Sequence, residues 1–302
     1  MGDADDNDDN FSVEQLAPRL FMCREKYYGL KLNAANLYVL QGTHLDLVID
    51  AGLGLWDFRG FLLENKLLSK DKPFLAVATH VHFDHTGGLH QFADACAIHE
   101  EDQQPLESGD DVAECTFLRQ KDCERNPPSK DWKASNYRVK PVKVTRVLKG
   151  ERDSIDLGGG QIIEVIHTPG HTEGSIVIWD TLNKFLFTGD TVYDGPLLDF
   201  APSSNAARYL DTMEILSAMA TEVKIVFPGH GRQITGSEMK DIADKYIAAA
   251  GTCHLCMTNV AKKLLFVVIR GRNAKRAPCA RCCYHSCCFC LLLGPPMKHI
   301  DE

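Results

Sequence analysis

Residues 75–88 read LAVATHVHFDHTGG, an apolar run followed by four potential metal ligands, His80, His82, Asp84 and His85. The apolar part predicts a buried strand, and the glycine pair ends the short loop after it. His80 and His82 can point to one side of this loop, whereas Asp84 and His85 stand one short turn further on and can face a second position. Neutral imidazole and carboxylate suit Zn²⁺, and to a lesser extent iron or manganese, and the lack of a thiolate argues against a closed structural zinc site. The loop can therefore serve two adjacent metal ions.

Four other apolar segments end in an acid or an imidazole beside glycine or threonine. They are LDLVIDAG (45–52) with Asp50, QIIEVIHTPGH (161–171) with His171, FLFTGD (185–190) with Asp190 and VKIVFPGH (223–230) with His230. Each reads as a strand with a polar residue at its carboxyl end, which is what a site built on one rim of a sheet requires. Polar residues on unrelated surface loops are the alternative, but chance rarely repeats such a pattern five times.

Taken in order, Asp50 and the motifs T-H-x-H-x-D-H, T-P-G-H, T-G-D and P-G-H resemble the five motifs of the metallo-β-lactamase superfamily, over roughly residues 17–250. The resemblance implies a single α/β domain with an αββα sandwich, in which two sheets pack together with helices outside, and two zinc ions at the sheet edge. It implies that the first zinc is held by His80, His82 and His171, the second by Asp84, His85 and His230, and that Asp190 bridges the two. The contexts HVHFDHTGGL, PGHTEGSI and GDTVYDG are most similar to the acyl-thioester hydrolases of this superfamily, near its hydroxyacylglutathione hydrolases.

The resemblance implies a zinc hydrolase that cleaves a thioester, with acyl-coenzyme A as the favoured small-molecule substrate. A hydroxide that bridges the two metals would attack the carbonyl, with Asp84 and Asp190 as the catalytic residues and Asp84 orienting the hydroxide. A hydroxyacylglutathione-type hydrolase and a sulfur dioxygenase with one iron are alternatives on the same scaffold. The net charge of −8 and the lack of a basic stripe in the first 250 residues disfavour a nucleic-acid hydrolase, so no nucleic-acid partner is expected.

Two further residues have predicted roles at this site. Imidazoles that bind metal need a partner on their other ring nitrogen, so Asp50 is predicted to orient the His80–His85 loop rather than to bind metal, and a plain turn aspartate is the alternative. Tyr193 follows Asp190 by three residues, and it can either donate a hydrogen bond to the substrate or simply pack.

The chain has 302 residues, of which 44% are hydrophobic, and this is enough for one large core. Residues 1–10, MGDADDNDDN, are acidic without apolar anchors and predict a disordered start. The metallo-β-lactamase domain is predicted over 11–252, with helices at 57–70, 206–220 and 236–250. Within it, the polar segment 99–142, which has one helical pattern at about 111–121, is predicted to be a lid or insertion that borders the active site.

The basic C-terminal tail, 253–302, holds eight of the 12 cysteines, namely Cys253, Cys256, Cys279, Cys282, Cys283, Cys287, Cys288 and Cys290. Polybasic residues next to clustered cysteines and leucines predict S-acylation, for example by palmitate, and peripheral attachment to a cytoplasmic membrane face. A zinc knuckle is a second alternative, although only four residues separate its Cys-x-x-Cys pairs, and an irregular terminus is a third. No apolar run reaches 18 residues, so no membrane span is predicted. The other cysteines are scattered and no secretory signal is recognised, which predicts a reducing, cytoplasmic location.

Overall fold

Two sheets pack against each other in the computed structural model of the chain, which describes residues 10–26, 34–109, 129 and 131–250. The first sheet has seven strands, in the order β1 (Phe11–Ala17), β2 (Leu20–Glu25), β3 (Leu37–Gln41), β4 (Asp46–Ile49), β5 (Phe74–Val77), β6 (Cys96–His99) and β7 (Arg146–Leu148). The second sheet has six strands, namely β8 (Arg152–Asp156), β9 (Ile162–His167), β10 (Ile176–Asp180), β11 (Phe185–Gly189), β12 (Ile225–Pro228) and β13 (Ile234–Thr235). Their order in the sheet is β13-β12-β11-β10-β9-β8.

Five α-helices lie in the same part of the chain, namely α1 (Phe58–Glu64), α2 (Phe83–Thr86), α3 (Glu100–Ser108), α4 (Ala206–Met219) and α5 (236–250). The predicted helix at 57–70 begins as expected, because the side chain of Asp57 accepts a hydrogen bond from Gly60 N at 2.9 Å and caps α1. It is shorter than predicted, since Lys66 adopts a left-handed φ of +58°. This turn directs Leu67 and Leu68 into the core instead of continuing the helix.

Three apolar clusters fill the spaces between the layers. The first includes Phe58 and Leu106, on the helices that cover the first sheet. The second cluster lies between the sheets and contains Val77 of the first sheet and Phe187 of the second. The third cluster lies between the second sheet and the helices α4 and α5. Every residue of β4 and β10 is buried, because each of these strands has a packed layer on both faces. The apolar runs 47–49 and 176–179 within these strands follow from this position, and the layer order is helix, sheet, sheet, helix.

The strand ends that matter for function meet at one edge of the sandwich. β4, β5 and β6 are parallel to one another in the first sheet, and β11 and β12 are parallel in the second, so the loops after these strands leave at common edges. Backbone hydrogen bonds then join the two sheets at this edge. Ile176 N donates to Thr79 O at 2.9 Å, and Asn36 N donates to Gly229 O at 2.7 Å. The loops of both sheets are therefore held in contact where the predicted ligands stand.

Part of the segment predicted as a lid or insertion, 99–142, belongs to the sandwich. His99 ends β6, α3 follows it directly, and the buried Tyr137 donates its hydroxyl to Leu53 O at 2.8 Å, beneath the site loops. The helix predicted at about 111–121, residues 1–9 and the tail with its eight cysteines lie outside the described residues. The predictions for these segments stay predictions. In the described ranges, no helix has both the length and the apolar character needed to cross a membrane.

Candidate metal centre

The loop after β5 carries four of the predicted ligands, and α2 forms a single turn inside it. Thr86 Oγ1 holds this turn, since it lies 2.9 Å from Val81 O and 3.0 Å from His82 O. The glycine pair that follows lets the loop pack on the chain after β4. A Cβ on Gly88 would lie 2.1 Å from Ala51 O, so a larger residue cannot occupy this position without displacing the backbone.

Three buried imidazoles, those of His80, His82 and His171, form the first cluster. One ring nitrogen of each lies within 4.8 Å of the others, and His82 Nδ1 is 2.9 Å from His171 Nε2. Two nitrogens on one tetrahedral zinc ion would be about 3.3 Å apart, given Zn–N bonds of about 2.0–2.1 Å. His171 comes from the loop after β9 of the second sheet, so this cluster exists only because the two sheets meet here.

Asp84, His85 and His230 form the second cluster, and His230 is brought to it by the end of β12. Asp84 Oδ2 lies 3.3 Å from His230 Nε2, and Asp84 Oδ1 lies 3.8 Å from His85 Nε2. These three side chains therefore present one ligand atom each to a common point.

Asp190, which follows β11, lies between the two clusters. Its Oδ1 is 3.3 Å from His85 Nε2, and its Oδ2 is 3.3 Å from His230 Nε2, both in the second cluster. The same Oδ2 is 3.6 Å from His171 Nε2 in the first cluster. The structure thus brings all seven residues predicted as ligands into one centre, and their roles as ligands stay predictions.

The imidazoles also have protein partners on the nitrogens that face away from the cluster centres. These pairs are His80 Nδ1 with Thr79 Oγ1 (3.1 Å), His82 Nε2 with Ser203 Oγ (3.0 Å), His85 Nδ1 with Asp50 Oδ2 (2.8 Å) and His171 Nδ1 with Leu198 O (3.0 Å). A carbonyl or carboxylate oxygen can only accept, so His171 and His85 carry hydrogen on Nδ1, and Nε2 of each ring is the nitrogen that faces the centre and is placed to bind a metal. Asp50 stands where its predicted orienting role requires it. Ser203 and Leu198 were not predicted.

Unpaired buried atoms at this centre test whether a metal fits. Within the part of the chain that the structure describes, three buried atoms that face the centre, His80 Nε2, His85 Nε2 and Asp190 Oδ1, have no hydrogen-bond partner. His80, His85 and Asp190 also form a group whose ligand atoms converge. Leaving such atoms unpaired costs about 1–3 kcal/mol each, and a bound cation would satisfy their lone pairs. Imidazole and carboxylate are the ligands that zinc prefers at sites without thiolates, so the residues fit this metal.

The first cluster is held in the protonation state that metal binding needs. Burial lowers the pKa of His80 well below its ordinary value of 6.5, and the neighbouring imidazoles lower it further. Burial is also the main cause that lowers the pKa of His82 to about 4 and that of His171 to about 4. All three rings are therefore neutral at pH 7 and can offer a lone pair to a metal ion.

Buried carboxylates dominate the electrostatics of the second cluster. Burial by itself lowers the pKa of His230, but Asp190 and Asp84 outweigh it and raise that pKa to about 10. Burial is outweighed in the same way at His85, where Asp190, Asp50 and Asp84 raise the pKa well above its ordinary value. The negative charge of these carboxylates stabilises protons on His85 and His230. The same negative charge favours the binding of a metal cation in place of those protons.

Tyr193 lies beside the second cluster, with its ring 6.2 Å from the ring of His230. Its hydroxyl donates to Pro196 O, within the same loop. Burial raises the pKa of this hydroxyl above its ordinary value, so the group remains a neutral donor. The predicted contact with substrate would require the bond to Pro196 to open, and it stays a prediction.

The sequence profile of the Metallo-beta-lactamase superfamily matches residues 30–230, a range that includes every residue of the two clusters and Asp190. The chain belongs to this superfamily. Among curated relatives, the acyl-coenzyme A thioesterase MBLAC2 of Homo sapiens is 37% identical over 278 residues, which cover 89% of this chain and 98% of the relative. The protein of the same name from Gallus gallus is 36% identical over 272 residues, which cover 88% of this chain and 96% of the relative.

Solved structures agree on the fold of this superfamily member. The DIM-1 metallo-beta-lactamase aligns with a TM-score of 0.56 at 19% identity, over 78% of this chain and 98% of its own. The metallo-beta-lactamase from Pontibacter korlensis aligns with a TM-score of 0.56 at 18% identity and the same two coverages. The predicted superfamily, the αββα fold and the hydrolase class are confirmed. Membership implies a bound metal, and the His and Asp groups described above can hold one.

Proposed function

We propose that the protein is a dinuclear zinc hydrolase that cleaves acyl-coenzyme A thioesters. The position of Asp190 carries the dinuclear part of the proposal. Its carboxylate lies 3.6 Å from His171 of the first cluster and 3.3 Å from both His85 and His230 of the second. A buried carboxylate that reaches ligand nitrogens of two adjacent clusters supports a bridge between two ions rather than a site for one ion.

The relatives support the substrate class. The curated proteins named acyl-coenzyme A thioesterase are 36–37% identical to this chain and align over nearly their whole length. Their names favour coenzyme A as the thiol carrier over glutathione. Both carriers form thioesters, so the same bond would be broken in either case.

The residues of the site would divide the chemistry as follows. Two zinc ions bound at the clusters would lower the pKa of a water molecule between them and polarise the thioester carbonyl. Asp84, whose side chain is 13% exposed, can accept a hydrogen bond from the attacking water and take its proton. Asp50 and Ser203 hold imidazoles at fixed angles through their outer nitrogens. The leaving thiolate is weakly basic, with an ordinary thiol pKa of about 8.5, so it needs no dedicated acid.

The location of the enzyme is also a proposal. We place it in the cytoplasm, held on a membrane face through acylation of the tail 253–302. The support comes from the sequence, in which a basic stretch at 262–276 precedes six cysteines and three leucines at 279–293. One acyl chain gives only marginal membrane binding, so two or more acylated cysteines, or one together with the basic stretch, are required.

Metal content and carrier preference test the proposed function together. Protein purified without added metal should contain close to two zinc ions per chain. Hydrolysis of one acyl chain carried on coenzyme A and on glutathione, followed by the thiol released, should be faster on coenzyme A. A faster glutathione ester would overturn the carrier assignment in favour of the hydroxyacylglutathione-type alternative. One iron per chain, with oxygen consumed on a persulfide substrate, would overturn the hydrolase in favour of the sulfur dioxygenase.

A further inference from the structure

Asp102 is a buried acid in the first turn of α3 and is 3% exposed. Its Oδ2 accepts hydrogen bonds from Val81 N at 2.9 Å and from Thr172 Oγ1 at 2.7 Å. Its Oδ1 accepts a hydrogen bond from Gly174 N at 3.0 Å. One carboxylate therefore binds the loop after β5 in the first sheet and the loop after β9 in the second.

The two loops that Asp102 joins carry the whole first cluster. Val81 lies between His80 and His82, and Thr172 directly follows His171. Two of the three bonds of this carboxylate thus act next to a histidine of the first cluster, and the third comes from Gly174, three residues after His171 in the same loop. The second cluster has no such neighbour among these contacts, because Asp84, His85 and His230 are not adjacent in sequence to Val81, Thr172 or Gly174.

The surroundings of Asp102 are shaped to this contact. A Cβ on Gly174 would lie 2.5 Å from the Asp102 carboxyl carbon, so glycine is required for the loop to approach so closely. Thr172 Oγ1 also lies 2.8 Å from Ser175 Oγ, and Thr172 N donates to that oxygen at 3.0 Å. The loop after β9 is therefore held by a connected set of hydrogen bonds that ends on Asp102.

A helix N-terminus favours an acid for its own sake, and this is the simpler explanation of Asp102. The bonds argue against it, because the carboxylate oxygens bind two loops outside the helix. The N-terminal N–H of Glu101 in α3 is instead accepted by His99 Nδ1 at 3.4 Å. Glu100 and Glu101 share the same turn with exposed side chains, so the helix already has acids at this end.

We propose that Asp102 is a positioning residue for the first cluster, which sets the zinc affinity of His80, His82 and His171 and leaves that of the second cluster nearly unchanged. The inference rests on the proposed dinuclear site. Loss of a residue that orients ligands costs about 10–100-fold in metal affinity, and we expect a loss in this range for the first zinc alone.

The test measures zinc affinity by competition with a chromophoric chelator. Asp102→Asn keeps the volume but turns one acceptor oxygen into a donor, and Glu101→Gln is the matched control in the same turn. In a His230→Ala background, which retains the first cluster, Asp102→Asn should weaken zinc binding about 10–100-fold. In a His82→Ala background, which retains the second cluster, it should change the affinity less than twofold. Glu101→Gln should change neither affinity.

Thr172→Val provides a second variant should Asp102→Asn fail to fold. It removes one of the three bonds, so it should weaken the first zinc in the same direction but less, while Thr172→Ser should restore the affinity. Urea unfolding of the metal-free proteins separates folding from positioning. Lower metal-free stability with unchanged zinc affinity would overturn the inference, and so would equal weakening of both clusters. An unsubstituted chain that binds fewer than two zinc ions would refute the proposed function itself, whereas two ions with an unaffected variant would refute only the role of Asp102.

Discussion

Substitution of Asp50 tests how both clusters are held, because its carboxylate lies behind a histidine of each. Asp50 Oδ2 accepts from His85 Nδ1 at 2.8 Å and from Thr79 Oγ1 at 2.9 Å, and Oδ1 accepts from Thr79 N at 2.7 Å. A hydroxyl has one hydrogen to donate, so Thr79 Oγ1 must accept from His80 Nδ1, which is 3.1 Å away. Asp50 therefore sets the tautomer of His85 directly and that of His80 through Thr79.

Asp50→Ala should weaken both zinc ions, in contrast to substitution of Asp102. Removal of an orienting partner costs about 10–100-fold in affinity, which corresponds to about 1.4–2.7 kcal/mol for each ion. The metal-free protein should also lose stability. Three buried donors lose their acceptor at a cost of about 1 kcal/mol or more each, so the free energy of unfolding should fall by about 3 kcal/mol or more.

The backbone at Asp50 provides a comparison that separates its two effects. Asp50 has a left-handed φ of +64°, a conformation that glycine adopts without strain and alanine does not. Asp50→Gly should therefore leave the metal-free protein about 1 kcal/mol more stable than Asp50→Ala, with equal zinc affinities. Lys66 is the matched control, because it is exposed and has a φ of +58°. Lys66→Gly and Lys66→Ala should show a similar difference in stability with normal zinc binding.

Chelator competition gives the two zinc affinities, and urea unfolding of the metal-free proteins gives the free energies. Asp50→Ala with both affinities within twofold of the unsubstituted chain would refute the orienting role, and weakening of one ion alone would refute the path through Thr79. Equal stability of the glycine and alanine variants would refute the strain at this position.

Four other outcomes are expected. Asp190→Ala should show no measurable turnover and should contain fewer than two zinc ions by metal analysis. The unfolding midpoint of the metal-free variant should stay close to normal, because apolar neighbours pack β11. Full turnover of the variant would exclude a bridging role for Asp190. Chelation should abolish hydrolysis and added zinc should restore it, and activity that survives complete metal removal would contradict a metal hydrolase. Truncation after residue 252 should leave turnover of a soluble thioester near normal but abolish membrane partitioning. Replacement of all six cysteines from 279 to 290 by serine should have the same two effects. If the intact and substituted chains partition equally, and hydroxylamine does not change the partitioning of either, acylation of these cysteines is excluded. Burial and the stacked ring of His167 lower the pKa of His99 below 6.5, so on acidification the unfolded chain takes up a proton before the folded chain does. The free energy of unfolding should therefore fall as the pH falls below about 6.5, by at most about 1.4 kcal/mol per pH unit. His99→Gln should make the free energy of unfolding depend less on pH when urea unfolding is measured at pH 7.5, 6.5 and 5.5, and an unchanged pH dependence would contradict this role of His99.

The superfamily and the layer order could be predicted from the sequence because its five motifs resemble those of a known family. The candidate residues of the centre could be predicted because they stand directly after apolar strands, and strand periodicity is a local property of the chain. The four ligands after β5 lie within six residues, from His80 to His85. Asp50 was also predictable, because an imidazole that binds metal needs a partner on its other nitrogen, and an acid at the end of the neighbouring strand is in reach.

The atoms that hold these ligands in place could be identified only from the packed sheets and their loops. Ser203 lies 121 residues from its partner His82, and Asp102 lies 70 residues from Thr172. No local pattern marks such pairs, since each depends on how the two sheets are packed and not on the period of either segment. The bond that the hydroxyl of Tyr193 donates to Pro196 O was likewise not visible in the sequence, and the predicted substrate contact of this residue stays a prediction. The pattern of a strand predicts on which side of the backbone a side chain lies. Its hydrogen-bond partner depends on which buried donor or acceptor of the other layer lies within reach, and the pattern does not contain this information.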